Sequence, residues 1–341
     1  MKRWLTLPTL CWCVFAIGLY GLLQLLIEIG VISVVWQITL ANIGINVILA
    51  VSLNLILGIS GQFSLGHAAF MGIGAYAGGI VLKMLPGYTG MLLGALAGLL
   101  ISALAALVIA VPTLRLRGDY LAIATLGFGE IIRIIINNMK ITNGAAGLSN
   151  IPAVANLTVI YFTIVLTLII VCNFKNSAPG RACISIKEDE IASEAMGIPT
   201  TRYKVIAFVL GAMLASLAGV LYASSFYVIK PTYFAFAQSI NILVIVVFGG
   251  MGSMTGSVVA ALVLGVINYL LQSLPNERMI VYAVAIILIM VFRPKGLMGN
   301  FELSFARLKS LQDIKALPAL WKDKILAVLA RLKNKRQKED A

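Results

Sequence analysis

Very few residues in this chain could do chemistry, and they cluster. The only histidine, His67, lies in Ser60-Gly61-Gln62-Phe63-Ser64-Leu65-Gly66-His67-Ala68-Ala69-Phe70. No nucleophile–base partner for it is visible, and no His/Cys/Glu spacing fits a metal site. Cys11, Cys13, Cys172 and Cys183 lie in or beside apolar runs, as small buried hydrophobes do. A Gly-x4-Gly-Lys-Ser/Thr phosphate loop is also missing. The sequence therefore carries no catalytic set, no metal set and no cofactor of its own. If ATP and its Mg drive any work here, another chain must bind them.

Three segments and an internal echo carry the remaining signal. In the first, Gln62, Ser64 and His67 interrupt apolar sequence between Gly61 and Gly66. Polar groups and bare backbone are costly in lipid, so this stretch must face protein or a watery cavity. A glycine break could present helix-end amides to a substrate carboxylate. Tight packing of small residues across helices is the alternative, and the residues alone leave both open. The second segment, Arg115-Leu116-Arg117-Gly118-Asp119-Tyr120, runs into a helix where Glu130 and Arg133 are spaced i,i+3 and can pair, within the membrane or as an interfacial anchor. The third, Gly180 to Ile198, contains Arg181, Lys187, Glu188, Asp189, Glu190, Glu194 and Gly197. Here Ile184, Ile191, Ala195 and Ile198 recur at near-helical spacing, which predicts a short amphipathic helix over 181–197 with a stop at Gly197 and Pro199. Such a helix could dock in a partner's groove, although a solvated loop has the same composition. The echo pairs Asn54-Leu55-Ile56-Leu57, leading to Gly58, Gly61, Ser64 and Gly66, with Asn241-Ile242-Leu243-Val244, leading to Gly249, Gly250, Gly252, Ser253 and Gly256. Glycine-interrupted segments in corresponding places are a mark of transporter repeats.

The elements that must position these residues are membrane helices. Hydrophobic residues make up 60% of the chain and charged ones 11%, with a mean hydropathy of +1.00. That charge fraction is about half of a soluble domain's. The apolar runs are long and do not alternate, which argues against β-barrel strands. They predict an all-α, polytopic bundle of about ten spans, near 8–28, 33–57, 63–82, 91–111, 119–137, 157–173, 205–225, 234–250, 256–273 and 279–292. The first reads as an uncleaved span rather than a signal peptide. The second is long enough to hold a break near Asn42-Ile43-Gly44. The net charge of +13 is carried by short loops and the C-terminal region, so the positive-inside rule places both termini in the cytoplasm and argues against nucleic-acid binding. Residues 1–299 read as one transmembrane domain and 300–341 as a basic amphipathic cytoplasmic tail.

Taken in order, these segments resemble the LivM-type permeases of branched-chain amino-acid ABC importers. The matching stretches are Asn54 to Tyr76, Arg115 to Arg133, Gly180 to Tyr203, Phe248-Gly249-Gly250-Met251-Gly252-Ser253 and Pro294-Lys295-Gly296-Leu297. Ile184 and Asn143 depart from the family pattern, which often has Arg and Gly there. The resemblance implies a multi-pass protein of the bacterial cytoplasmic (inner) membrane. It implies pairing with a sister permease, two ABC ATPase subunits that bind ATP and Mg, and an extracytoplasmic substrate-binding protein. The substrate path is expected at Asn54, Gly61, Gln62, Ser64, Gly66, His67, Gly250, Gly252 and Ser253. Coupling to the ATPases is expected through 180–204, at Arg181, Lys187, Glu188, Asp189, Glu190, Glu194 and Gly197. A urea or amide permease and an autonomous secondary transporter are the alternatives.

Overall fold

The computed structural model describes residues 7–30, 32–113, 116, 118–271, 283–284, 287 and 296–299. The predicted span at 279–292 falls almost entirely outside them, as do Arg115, Arg117 and the tail at 300–341. The chain divides into two compact units, one holding residues 1–29 and 303–341, the other residues 30–302. In the first, α1 (Leu7–Glu28) is an apolar helix.

The regular structure of the second unit is helical among its described residues, apart from one isolated antiparallel bridge between Leu148 and Ile229. Helix α2 (Val34–Asn54) is followed by a π-helical turn (Leu55–Ile59). Then come α3 (His67–Met84), α4 (Tyr88–Thr113), α5 (Asp119–Asn138) and α6 (Leu157–Asn176). Two short helices, α7 (Ala178–Glu188) and α8 (Glu190–Ala195), precede α9 (Thr200–Ser225), α10 (Phe236–Gly249) and α11 (Met254–Leu270).

Four of these are long and apolar enough to cross a membrane: Val34–Ile59, Tyr88–Thr113, Leu157–Asn176 and Thr200–Ser225. At 1.5 Å per residue, 26 residues reach about 39 Å, more than the ~30 Å hydrocarbon core. The two spans expected at 234–250 and 256–273 are instead one pair, bent by 119° at a short break, a broken span or a re-entrant loop. The 14 residues of α10 reach only about 21 Å and cannot span alone. The described helices thus supply four or five spans where the sequence predicts about ten. No break occurs at Asn42-Ile43-Gly44, which lie inside α2; the irregularity comes at 55–59.

Helix α2 is the core of the unit. From Ile43 to Ser60 nearly every residue is buried, so its apolar residues need no polar face. Its neighbours are α6, α9, α10 and α11. A second tight group is α3, α4 and α9. On α4 the buried positions Gly90, Gly94, Gly98, Ser102, Ala106 and Ala110 recur every four residues, forming a stripe of small side chains. The other side of α4 exposes Leu92, Leu96, Leu100, Leu104 and Val108. Small stripes let helix backbones approach where lipid gives no hydrophobic drive to association. The approach here is extreme: a Cβ on Gly74 would lie 1.9 Å from the Ser216 carbonyl oxygen, and one on Gly219 would lie 1.9 Å from that of Met71. Ser102 adds a hydrogen bond from its hydroxyl to the Ala212 carbonyl (2.9 Å).

The loops at 139–156 and 226–233 meet. Leu148 and Ile229 exchange backbone hydrogen bonds (3.0 and 2.9 Å), and Ile151 N–H donates to the Tyr227 carbonyl. Asn143 adopts the left-handed conformation (φ 60°). Apart from glycine, asparagine is among the residues that adopt this conformation most readily.

Adding a methyl group at Gly74 must push α3 away from α9. Gly74→Ala should lower stability by about 1–3 kcal/mol, the cost of overpacking a dense core. Gly127→Ala, on α5 with open space around its Cβ position, should be neutral or stabilise by up to about 1 kcal/mol. Thermal unfolding in detergent compares the two; equal effects would contradict this packing.

Candidate functional site

Three breaks in helical structure meet at the ends of α2, α10 and α7. At the end of α2 the chain widens into the π-turn, and Ser60 N–H bonds back to the Leu55 carbonyl. Helix α10 ends at Gly249, and the chain reverses through Gly250 (φ 111°) and Gly252 (φ 95°) before α11 begins. These φ values favour glycine. Asn54 joins the two breaks. Its Oδ1 accepts from Gly252 N–H (2.8 Å), and its Nδ2 donates to the Ser253 carbonyl (2.9 Å). One buried carboxamide thus does for the α10–α11 break what a neighbouring strand would do. Gly58 makes the approach possible, since a Cβ there would lie 2.0 Å from Asn54 Oδ1 and 2.4 Å from Gly252 N. Ser253 caps α11 by accepting from Gly256 N–H (3.0 Å). The two halves of the sequence echo are therefore in direct contact.

The carbonyls at the end of α10 find partners further along the chain. Leu297 N–H donates to Phe248 O (2.8 Å) and Met298 N–H to Gly249 O (3.3 Å). Gly296 (φ 79°) packs so closely on Gly250 that a Cβ would come within 2.6 Å of its Cα. The Gly296-Leu297 pair thus satisfies the last turn of α10, a role the sequence does not reveal.

The segment 60–66 is irregular and mostly buried. Leu65 N–H donates to Thr125 Oγ1 (3.0 Å) on α5, Ala68 N–H to Ser239 Oγ (3.1 Å) on α10, and Gln62 Nε2 to the Lys204 carbonyl (3.0 Å) on α9. Gly66 lies against Thr125, whose carbonyl oxygen would be 2.5 Å from a Cβ. His67 Nε2 is 2.7 Å from Ser52 Oγ, which donates to the Leu49 carbonyl. Among the described residues, the buried Gln62 Oε1, Ser64 Oγ and His67 Nδ1 find no hydrogen-bond partner. Ser52, Thr125 and Ser239 escape sequence reasoning because a lone hydroxyl in an apolar helix signals neither packing nor function.

Lys187 connects this region to α7. Its Nζ donates to the Gly58 carbonyl (2.9 Å), which the end of the helical ladder leaves free. Its aliphatic stem crosses Gly61 (φ 71°), where a Cβ would meet Lys187 Cγ at 3.0 Å. The helix expected over 181–197 is two helices with a break at Asp189. Asp189 is extended (φ −153°), and its Oδ1 accepts from Ala192 N–H (2.9 Å), an N-cap that starts α8. The expected apolar stripe also divides: Ile184 packs inward, whereas Ile191 on α8 is 70% exposed. Met196, beyond α8, is 83% exposed.

The remaining charges in this region are largely engaged. Glu190 pairs with Lys204 (2.7 Å), Glu194 accepts from Thr200 (2.8 Å), and Arg181 donates to the Asn176 carbonyl (2.6 Å). Glu188 and Asp189 are exposed, and Gly197 (φ 81°) ends α8. Cys183 lies on the buried face of α7, and burial pushes its thiol up to about 11, which disfavours the reactive thiolate. Apart from this region, Glu130 and Arg133 bond at 2.7 Å on α5, both partly exposed.

The family model described as "Branched-chain amino acid transport system / permease component" matches residues 37–292, about three-quarters of the chain. The chain belongs to this family. It is similar to the high-affinity branched-chain amino acid transport system permease protein LivM of Salmonella typhimurium, 35% identical over 225 residues, covering 56% of this chain and 53% of that protein. The LivM protein of Escherichia coli matches to the same extent. The LivH permease protein of Salmonella typhimurium is 33% identical over 162 residues, 47% of this chain and 51% of that protein. The chain spans about half the length of the curated relatives it matches. No solved structure matches it. The matched range contains the whole α2–α10–α7 junction except Gly296–Met298.

Asn54→Leu would strand a buried donor and a buried acceptor at the α10–α11 break. It should cost about 2 kcal/mol or more. Thermal unfolding of the purified variant checks this; an unchanged midpoint would mean the clamp contributes nothing.

Proposed function

We propose that this chain is the transmembrane permease subunit of an ATP-driven ABC importer for branched-chain or related amino acids in a bacterial inner membrane. The observation that carries the reading is the family match across 37–292, joined to the tie between α7 and the helix breaks. The printed names of the relatives supply the substrate class, and their LivM and LivH forms supply the idea of a permease pair. The sister permease completes the path, two ATPases bind ATP and Mg, and an external protein delivers substrate.

Both termini are cytoplasmic in this reading. The 139–156 and 226–233 loops, hydrogen-bonded to each other, form the outer surface where the binding protein docks. The α7–α8 pair sits on the inner side and meets the ATPases. Ile191 and Met196 enter a groove, while Glu188 and Asp189 supply charge at its rim. Motor closure displaces α7. Lys187 passes that displacement to Gly58, and Asn54 passes it on to the α10–α11 break. Asn54, Gly61, Gln62, Ser64, Gly66, His67, Gly250, Gly252 and Ser253 then act as the gate at the inner end of the substrate path. The buried groups left without partners on Gln62, Ser64 and His67 gain them when the gate opens. A protein with two such packings alternates in access. Family membership speaks against an autonomous secondary transporter.

Tagging the chain and purifying it gently should recover a sister permease and ATPases, with ATP hydrolysis stimulated by an amino-acid-loaded binding protein. Glu188→Lys should abolish uptake while leaving membrane insertion intact. A chain that comes alone and moves substrate in liposomes without ATP would overturn the importer reading. Normal uptake by the Glu188→Lys variant would overturn the coupling assignment.

A further inference from the structure

A half-open cleft of about 320 Å³ lies between α2, α3, α10, the end of α9 and the 226–235 connection. Its polar lining is dominated by four carboxamides: Asn42 and Asn46, one turn apart on α2, and Gln238 and Asn241, spaced i,i+3 on α10. Ile45 and Met71, both buried, also line it. No lining residue is charged. Asn42 and Asn46 make no hydrogen bond to any described residue, while Asn241 touches Gln238 only at 3.4 Å. Amide groups left unpaired in hydrocarbon are costly, so this surface must face water, a ligand or protein. The cleft lies about 12 Å along α2 from Asn54, at the 1.5 Å rise per residue. It therefore shares α2 and α10 with the junction that moves them.

We infer that this cleft is a binding site for a neutral, zwitterionic amino acid on its way through the bundle. A carboxamide offers both a donor and an acceptor, so neighbouring amides can bond a carboxylate and an ammonium together. The absence of a charged wall leaves a net cation or anion without a counter-charge, which selects against both. The apolar surface from Ile45 and Met71 takes an aliphatic side chain. The volume falls at the lower end of small-molecule sites, as a single amino acid requires. Because the amides span the cleft from α2 to α10, movement at the Asn54 clamp changes their spacing and releases the ligand inward. The inference deepens the transport reading and rests on it for the direction of movement.

The test is protected labelling in the purified importer complex. The four native cysteines are replaced by alanine, and single cysteines are introduced at lining residues that keep all four amides, by Thr232→Cys and Ala237→Cys, and, as a buried control, by Val51→Cys. A water-soluble maleimide should label positions 232 and 237 but not 51. L-Leucine should slow both reactions several-fold, whereas lysine and glutamate should not. Labelling at an unchanged rate with leucine, or none in the assembled complex under any condition, would overturn the site. Protection requires no ATP, so failure here is separate from failure of the importer reading.

Discussion

A helix interrupted inside a membrane bundle leaves backbone donors and acceptors that neither lipid nor water can satisfy. The architecture of this chain follows from how it meets that constraint at the ends of α2 and α10. The Asn54 carboxamide takes one N–H and one C=O of the α10–α11 break, Leu297 and Met298 take the last carbonyls of α10, and Lys187 takes the carbonyl of Gly58. Each bond joins segments far apart in the chain. Because the partners are supplied from outside each helix, the breaks are held together but remain separable. An unbroken helix could not be opened without losing its own ladder.

The surrounding packing divides the work. Helices α3, α4 and α9 approach through glycine, alanine and serine so closely that backbone meets backbone, as at Gly74 against Ser216 and Gly219 against Met71. Dense interiors of this kind transmit displacement rather than absorb it. Helices α2, α10 and α11 carry the irregular turns and the amide cleft. A rigid group beside a group with broken helices is the arrangement that hinge motion needs, and α7 is attached to the second through Lys187.

Much of this was legible from local pattern. Helices α1 to α6 and α9 follow the apolar runs, and Gly58–Gly66 and Gly249–Gly256 stand out because polar and glycine residues interrupt those runs. What could not be read was long-range pairing. Nothing in the types of Asn54 and Gly252, or of Lys187 and Gly58, identifies them as partners across more than a hundred residues. Part of the difference in span count has a local reason: α10 and α11 read as two spans because hydropathy does not register the 119° bend between them. The split of the expected 181–197 helix was latent in Asp189 three residues before Ala192, a cap signal outweighed by the apolar periodicity. The amide cleft was also latent, in the spacings of Asn42 with Asn46 and Gln238 with Asn241, but its two halves lie nearly two hundred residues apart.

The central claim is that Lys187 carries motor movement to the helix breaks, and Lys187→Met tests it most directly. Methionine keeps the stem over Gly61 and removes only the ammonium that holds the Gly58 carbonyl. The measurement is amino acid imported per ATP hydrolysed by the reconstituted complex, with binding protein loaded. The account predicts that hydrolysis remains stimulated while import per ATP falls sharply. An unchanged ratio would show that the motors drive the gate by another route.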